Sequence, residues 1–312
     1  MPEGDTVWRT ATRLNVALAG EPLEMLQLRW GDLGGQQLLP ASTVSVTSRG
    51  KHLLHRLDNG VTVHSHLRTD GKWRLEATPA VDPSALANPH LRAVAATRTW
   101  TALGLHLGAV DIWPTSQEDA HLGHLGPDLL GDDWNLEQAV NNLAQPRPDD
   151  GTGPGGAGLA AALLDQRNLA GIGPYWASEG LFLNHVDPWA STQSLPRETI
   201  EAVVTTIRLH MRQSITATGR NSGRRGPGGG AHVFGRAGRN CRVCGTVIRL
   251  APLGPGPNEL RVFYCASCQP APAAMDQLTL APVKQRRSAR RSRPKWATAQ
   301  REPTASNVSA SQ

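Results

Sequence analysis

Two residues at the start of the chain, Pro2 and Glu3, have the types and the position to do chemistry together. Removal of Met1 leaves Pro2 as a terminal secondary amine, which condenses with an aldehyde carbon to an iminium. Terminal amines have pKa values near ~8, so part of the population is neutral and nucleophilic at neutral pH. Glu3 adds a carboxylate beside that amine, able to act as acid or base. Many chains begin Met-Pro, so the pair gains weight only where the rest of the sequence agrees with it. The other ligating group lies far along the chain: Cys241-x2-Cys244, twenty residues, then Cys265-x2-Cys268, the whole cysteine complement. Paired CxxC units at this separation suit one tetrahedral Zn2+ held by four thiolates. Two disulfides or redox pairs are the competing reading, disfavoured in a chain with no other cysteine and no thioredoxin-like βαβ context. Four thiolates leave no open coordination position, so the expected zinc is structural.

Charge names a partner class. Residues 1–218 hold 16 Lys+Arg against 23 Asp+Glu, a net of −7, while residues 219–312 hold 16 against 3, a net of +13. A basic C-terminal third on an acidic body points to a polyanion, nucleic acid above all. Lysine is scarce, four residues against 28 arginines, which singles out Lys51. Gly171 and Gly173 stand between two helical runs. Glycines there let a DNA backbone approach peptide N–H groups, and a helix N-terminus adds positive potential, although an ordinary helix–helix turn uses the same residues. Arg249 and Arg261, on a hairpin within the cysteine module, are expected to present cations to phosphate. No run of about 18 apolar residues exists and no signal-peptide pattern opens the chain, so no membrane association and a cytoplasmic setting are expected.

The elements that must position these residues are legible in outline. Residues 5–19 read as a helix with Asp5 as N-cap, Val7, Ala11, Leu14 and Leu18 at helical spacing, and Gly20 with Pro22 as the stop. Strands are expected over Thr43–Ser48, His52–Leu57, Val61–His66, Lys72–Leu75, Ala93–Trp100 and Ala109–Trp113, with Asp58-Asn59-Gly60 closing a hairpin. Helices are expected over 135–144, Leu159–Leu169, Tyr175–Leu183 and Pro196–Thr218. Thr246–Ala251 and Glu259–Tyr264 pair as the hairpin of the cysteine module, closed by Pro252–Asn258. Residues 146–158 read as a loop, 219–231 as a Gly/Arg linker and 270–312 as a basic disordered tail.

In order and spacing, four motifs resemble the formamidopyrimidine-DNA glycosylase/endonuclease VIII family. They are Met1-Pro2-Glu3-Gly4-Asp5; Ser48-Arg49-Gly50-Lys51-His52-Leu53-Leu54; Leu164-Asp165-Gln166 through Gly171-Ile172-Gly173 to Ala177-Ser178-Glu179-Gly180-Leu181-Phe182; and Cys241 to Cys268 followed by Gln269. The resemblance spans about residues 2–269. It implies an α+β multidomain fold: an N-terminal β-sandwich with flanking helices (1–118), a helix–two-turn–helix domain (119–218), the linker (219–231), a zinc-finger hairpin (232–269) and the tail. It also implies a monomeric base-excision enzyme acting on damaged DNA at the nucleoid, a glycosylase and AP lyase that flips its target base from the duplex. The Glu3-Gly4 opening resembles the endonuclease VIII branch, associated with oxidised pyrimidines.

Carried over residue by residue, Pro2 attacks the sugar C1′ and Glu3 protonates the opening sugar. Lys51, in the strand after the Arg-Gly turn, contacts phosphate and delivers a proton during elimination. Arg261 matches the arginine that binds phosphate at the lesion. Arg68, in Leu67-Arg68-Thr69-Asp70, occupies the place of the residues that fill the gap left by the flipped base, and His124 stands where an arginine is common. The chain departs from the family at Pro174, where an asparagine usually binds phosphate, and at Arg261, which lies four rather than five residues before Cys265. Those departures fit a second reading, a DNA-binding protein that keeps the fold without catalysis, whereas Pro2, Glu3 and Lys51 together favour the enzyme. A zinc-ribbon transcription factor accounts for the C-terminal third alone.

Overall fold

A computed structural model describes residues 2–145, 158–216, 230–253 and 260–270. The expected loop over 146–158 apart from Gly158, most of the linker, the closing turn of the cysteine hairpin and all but Pro270 of the tail lie outside them.

The chain opens with helix α1 (Gly4–Leu18), which buries Val7, Ala11, Leu14 and Leu18 as the spacing predicts. Its N-cap is Glu3, not Asp5. Asp5 is buried within the first turn, paired to Arg9 at 3.2 Å and accepting a bond from Ser214 Oγ at 3.0 Å. A tertiary partner therefore took the side chain that local capping chemistry would have used.

Next come β1 (Met25–Leu28), β2 (Thr43–Arg49), β3 (His52–Leu57), β4 (Val61–His66) and β5 (Lys72–Ala77). A short helix α2 (Pro83–Leu86) leads to β6 (Leu91–Ala96), β7 (Trp100–Leu105) and β8 (Ala109–Pro114). The strand expected over Ala93–Trp100 starts earlier and ends at Ala96 as β6, and β7, which begins at Trp100, was not anticipated. The Thr97 side chain accepts from the N–H groups of Thr99 and Trp100 and turns the chain there. β1 was not anticipated, its four residues being too few to show a period. The strands form two antiparallel sheets, β1-β6-β7-β5 and β2-β3-β4-β8. Leu53, Val63 and Val110 of the second sheet meet Leu28, Ala93 and Ala102 of the first in one core, closed at its end by α1. Each fully buried leucine of that core contributes roughly 2 kcal/mol.

The second half is helical: α3 (Glu118–Leu122), α4 (Leu136–Ala144), α5 (Leu159–Leu164), α6 (Pro174–Leu183) and α7 (Arg197–Thr216). Helix α5 ends five residues before the expected Leu169, because Asp165 turns back to accept the Arg167 N–H at 2.9 Å. Leu159, Leu163, Leu181, Val203 and Ile207 form a separate core. The chain closes with β9 (Arg249–Pro252) and β10 (Arg261–Tyr264), an antiparallel pair. No described helix is long and apolar enough to cross a membrane.

Candidate active site

The start of α1, the β2–β3 turn and the start of α6 meet at one carboxylate. Glu3 is the N-cap residue of α1 by position, but its side chain makes no capping bond there and instead caps the N-terminus of α6. Its Oε1 accepts from Tyr175 N–H at 2.7 Å, and its Oε2 from Gly173 N–H at 3.0 Å and Trp176 N–H at 3.2 Å. Those N–H groups are the unpaired donors of a helix start, and the helix dipole adds to their pull on an anion. Glu3 is only 3% exposed. Burial pushes its pKa up to about 7, while the charge of Lys51 and the Tyr175 and Trp176 N–H groups pull it down. Near neutrality the carboxyl therefore exists in both forms, the condition under which one group can serve as acid and as base. Pro2 precedes it, half-buried.

The glycines of the α5–α6 connection serve this carboxylate. A Cβ on Gly173 would lie 2.5 Å from Glu3 Cδ, and Gly171 has φ +103°. Gly171 N–H donates to Gln166 Oε1 at 3.0 Å, and its carbonyl accepts Gly4 N–H at 2.9 Å. The expectation that Gly171 and Gly173 offer N–H groups to DNA is corrected: both are buried, and both N–H groups already have acceptors within the protein. Pro174 is the first residue of α6, where a missing N–H is one of the helix's orphan donors and costs nothing.

Lys51 lies in the two-residue turn Gly50-Lys51 itself, since Arg49 and His52 are paired, and not in the strand after it. Gly50 takes φ +57° and donates its N–H to Asp128 Oδ2 at 2.7 Å, while Asp128 Oδ1 accepts from Leu130 N–H at 3.0 Å. Asp128 thus ties the lysine turn to the segment entering the helical half. Spacing along the chain does not show this link, because the partner is 78 residues away. Burial lowers the Lys51 pKa, and Glu3 opposes that shift.

Beside Lys51 the outward face of β3 and β4 carries three histidines that sequence reading passed over. His52 and His66 are register partners, and His52 Nδ1 lies 2.9 Å from His64 Nε2. His64 Nδ1 lies 3.0 Å from Asp111 Oδ2 on β8. The signal was available: a three-residue Asp58-Asn59-Gly60 loop pairs residue 52 with residue 66. Burial holds His52 down to about 3, helped by the charges of His66, His64, His124 and Lys51. Burial likewise holds His66 down to about 4, with Lys51, His64 and Arg68 adding to it. Lys51, Arg68 and His124, expected separately at the DNA, therefore surround one imidazole cluster. Arg68 is exposed, with φ +49°, and its stem lies over Gly108.

Arg249 and Arg261 do not converge. Arg249 pairs with Tyr264 and Arg261 with Pro252, three positions apart on each strand, so the two exposed arginines project from opposite faces at opposite ends of the hairpin. The four cysteine sulfurs, by contrast, lie within 4.8 Å of one another. All four are free thiols, not disulfides. Burial and the neighbouring sulfurs drive Cys268 far above the ordinary thiol range, a crowding that a central cation would relieve. The module is fastened by Glu179 of α6, which accepts from His232 N–H and Nδ1 and from the N–H groups of Val233 and Phe234 at 2.8–2.9 Å. Gln269 joins it to the helical core by donating to Val186 O at 2.9 Å. A recess of about 500 Å³ near α1, β2 and α3 holds none of Pro2, Glu3 or Lys51, and carboxylates such as Glu118, Asp128 and Asp133 line it, so it suits no nucleic acid.

Comparison with known proteins gives the same frame. Residues 1–107 match the formamidopyrimidine-DNA glycosylase N-terminal domain and residues 125–224 the formamidopyrimidine-DNA glycosylase H2TH domain. The chain is 41% identical to the probable endonuclease 8 2 of Streptomyces coelicolor, over 88% of this chain and 95% of that protein. It is 36% identical to the DNA-(apurinic or apyrimidinic site) lyase Nei2 of Mycolicibacterium smegmatis, over 87% of this chain and all of that one. Among solved structures, the Lactococcus lactis formamidopyrimidine-DNA glycosylase bound to DNA containing an AP site superimposes with a TM-score of 0.68 at 19% identity, covering 86% of this chain and 100% of that one. The fold is the expected one: β-sandwich, helix–two-turn–helix domain and a C-terminal four-cysteine hairpin.

Proposed function

The chain belongs to the formamidopyrimidine-DNA glycosylase/endonuclease VIII family, and we propose that it is a bifunctional DNA glycosylase and AP lyase that removes oxidised bases, pyrimidines foremost. The observation that carries this reading is the Glu3 carboxyl, buried at the start of α6, pushed up to about 7 and coupled to Lys51, directly after Pro2. With Met1 removed, the neutral Pro2 nitrogen attacks C1′ of the flipped nucleotide, and the base leaves with the proton that the nitrogen gives up, which restores the nitrogen lone pair. Protonated Glu3 gives its proton to the ring oxygen, the sugar opens, and the nitrogen lone pair completes the iminium. Loss of the C2′ proton then expels the 3′ phosphate, and a second elimination expels the 5′ phosphate.

In this reading Lys51, Arg68 and His124 face the DNA. Arg261 and Arg249 act on separate stretches of backbone, since they point from opposite faces of the hairpin. Cys241, Cys244, Cys265 and Cys268 hold one Zn2+, whose contribution is to fold the hairpin. The working parts are residues 1–118, 119–218 and 232–269, and the protein acts as a monomer in the cytoplasm, at the nucleoid.

Borohydride trapping tests the reading. The purified chain, with Met1 removal verified by mass, is incubated with duplexes bearing an abasic site or an oxidised pyrimidine. Adducts on both are expected, and Pro2→Gly should slow their formation greatly while leaving binding intact. An adduct on the abasic duplex alone would leave a lyase with a different lesion. No adduct on either, with binding retained, would leave a DNA-binding protein that keeps the fold without catalysis, the reading that Pro174 favours.

A further inference from the structure

The line of hydrogen bonds beside Lys51 has one self-consistent protonation pattern at neutral pH. Asp111, as a carboxylate, only accepts, so His64 Nδ1 carries the hydrogen of their 3.0 Å contact. Burial keeps His64 neutral, despite the bond and charge of Asp111 and helped by His121. A neutral ring has one N–H, so His64 Nε2 bears a lone pair and accepts. His52 Nδ1 must then donate across their 2.9 Å contact. His52 is neutral too, so its Nε2 is a free base on the side of the ring away from His64. The arrangement repeats the logic by which a carboxylate orients a catalytic histidine, with one more ring inserted. At one end Asp111 is 49% exposed; His64, next to it, is 5% exposed. At the other end Lys51 sits in the turn directly before His52, and its charge helps to hold both the His66 and the His52 rings down.

We propose that Asp111, His64 and His52 form a proton line from solvent to Lys51, with His52 as the group that takes the lysine's proton while DNA covers the site. This rests on the glycosylase/lyase reading. The need is physical: a buried lysine that delivers and regains protons must exchange them with water, and bound DNA closes the direct route. Outward transfer runs in three linked steps. The Lys51 ammonium gives a proton to His52 Nε2; His52 gives its Nδ1 proton to His64 Nε2; His64 gives its Nδ1 proton to Asp111, which passes it to water. Each ring gains one proton and loses one, so no imidazolium accumulates, and tautomer exchange resets the line. The groups facing it are His66, Lys51 and His124 at His52, His121 and Asp111 at His64, and Arg68 at His66. Trp113 stacks on His64 at 4.4 Å and keeps that ring in plane.

Two measurements test this. Nitrogen-15 NMR of the wild-type protein reads the tautomers directly: Nδ1–H is expected on both His52 and His64, and Nε2–H on either would overturn the line. Single-turnover cleavage of an abasic duplex from pH 5.5 to 8.5 then compares wild type with His52→Gln and His64→Gln. Elimination should slow roughly ten- to a hundredfold with a changed pH profile, while borohydride trapping and duplex Kd stay within about twofold. Added imidazole should restore His52→Ala, a response that a purely architectural role does not give. Wild-type rates and profile in both variants, or loss without imidazole rescue, would overturn the proposal. Failure of the wild-type protein to trap abasic DNA would instead sink the enzyme reading, and the tautomers would still report on the line.

Discussion

Glu3 and Glu179 are both 3% exposed, and each accepts three backbone N–H groups, yet their acidities move in opposite directions. Glu3, at the start of α6, is raised to about 7 because burial outweighs its donors and Asp5 adds repulsion. Burial acts on Glu179 in the same sense, but the His232 side chain adds a fourth donor and the balance falls below the ordinary value. Two carboxylates attached to the same helix are thus set apart by their surroundings, burial and the Asp5 charge at Glu3 against the added His232 donor at Glu179. One is locked as an anion that fastens the cysteine module, and the other is left able to gain and lose a proton.

The largest test of this contrast is Glu3→Gln, which should lower single-turnover sugar opening, read as borohydride-trapped iminium, by about 10²–10⁴ without unfolding the protein. Stability should carry a second signature. The folded pKa of Glu3 lies above its ordinary 4.5, so its contribution is full below pH 4.5 and is lost as the pH rises to about 7. That swing is worth roughly 3 kcal/mol, and Glu3→Gln should flatten the Tm profile over this window. Glu179 has the reverse sign: its contribution is present above 4.5 and is lost as the pH falls through its lower folded pKa. Identical changes in the pH profile of Tm for Glu3→Gln and Glu179→Ala would break the comparison.

Glu179→Ala should cost about 3 kcal/mol, because three buried or half-buried N–H groups lose their acceptor, read as a fall in Tm. Chelation of the metal should release one ion per chain and loosen the same module, lowering DNA affinity. If chelation leaves the Tm and affinity unchanged, the cysteines are not a metal site. Gly173→Ala should displace the Glu3 carboxyl and slow iminium formation roughly tenfold, with binding little changed. The smallest effect is expected for Pro174→Asn, which restores an amide at the first turn of α6. Duplex Kd should tighten by about threefold, measured by fluorescence anisotropy, and no change would mean that DNA does not reach that turn.

Much of the frame was legible because it is local. The α1 face, the β3–β4 hairpin and the paired CxxC units depend on spacing within a few residues or across one turn. The proton line was half legible: the hairpin loop pairs His52 with His66, but nothing in the chain announces that β8 will lie beside β4 and bring Asp111 to His64. Arg249 and Arg261 lie on one hairpin as expected, and register, which turns alternate residues to opposite faces, decided that they point apart.

The sequence by itself determined which groups are available: a proline amine behind Met1, a carboxylate next to it, Lys51 as one of four lysines in an arginine-rich chain, and four cysteines at metal spacing. Tertiary structure decided what state those groups are in. The acidity of Glu3 depends on helix α6, some 170 residues away, and on Lys51, and the position of Lys51 depends on Asp128. Spacing can bring a side chain to a face, but a pKa is a sum over burial and charges from the whole fold, and that sum has no local form.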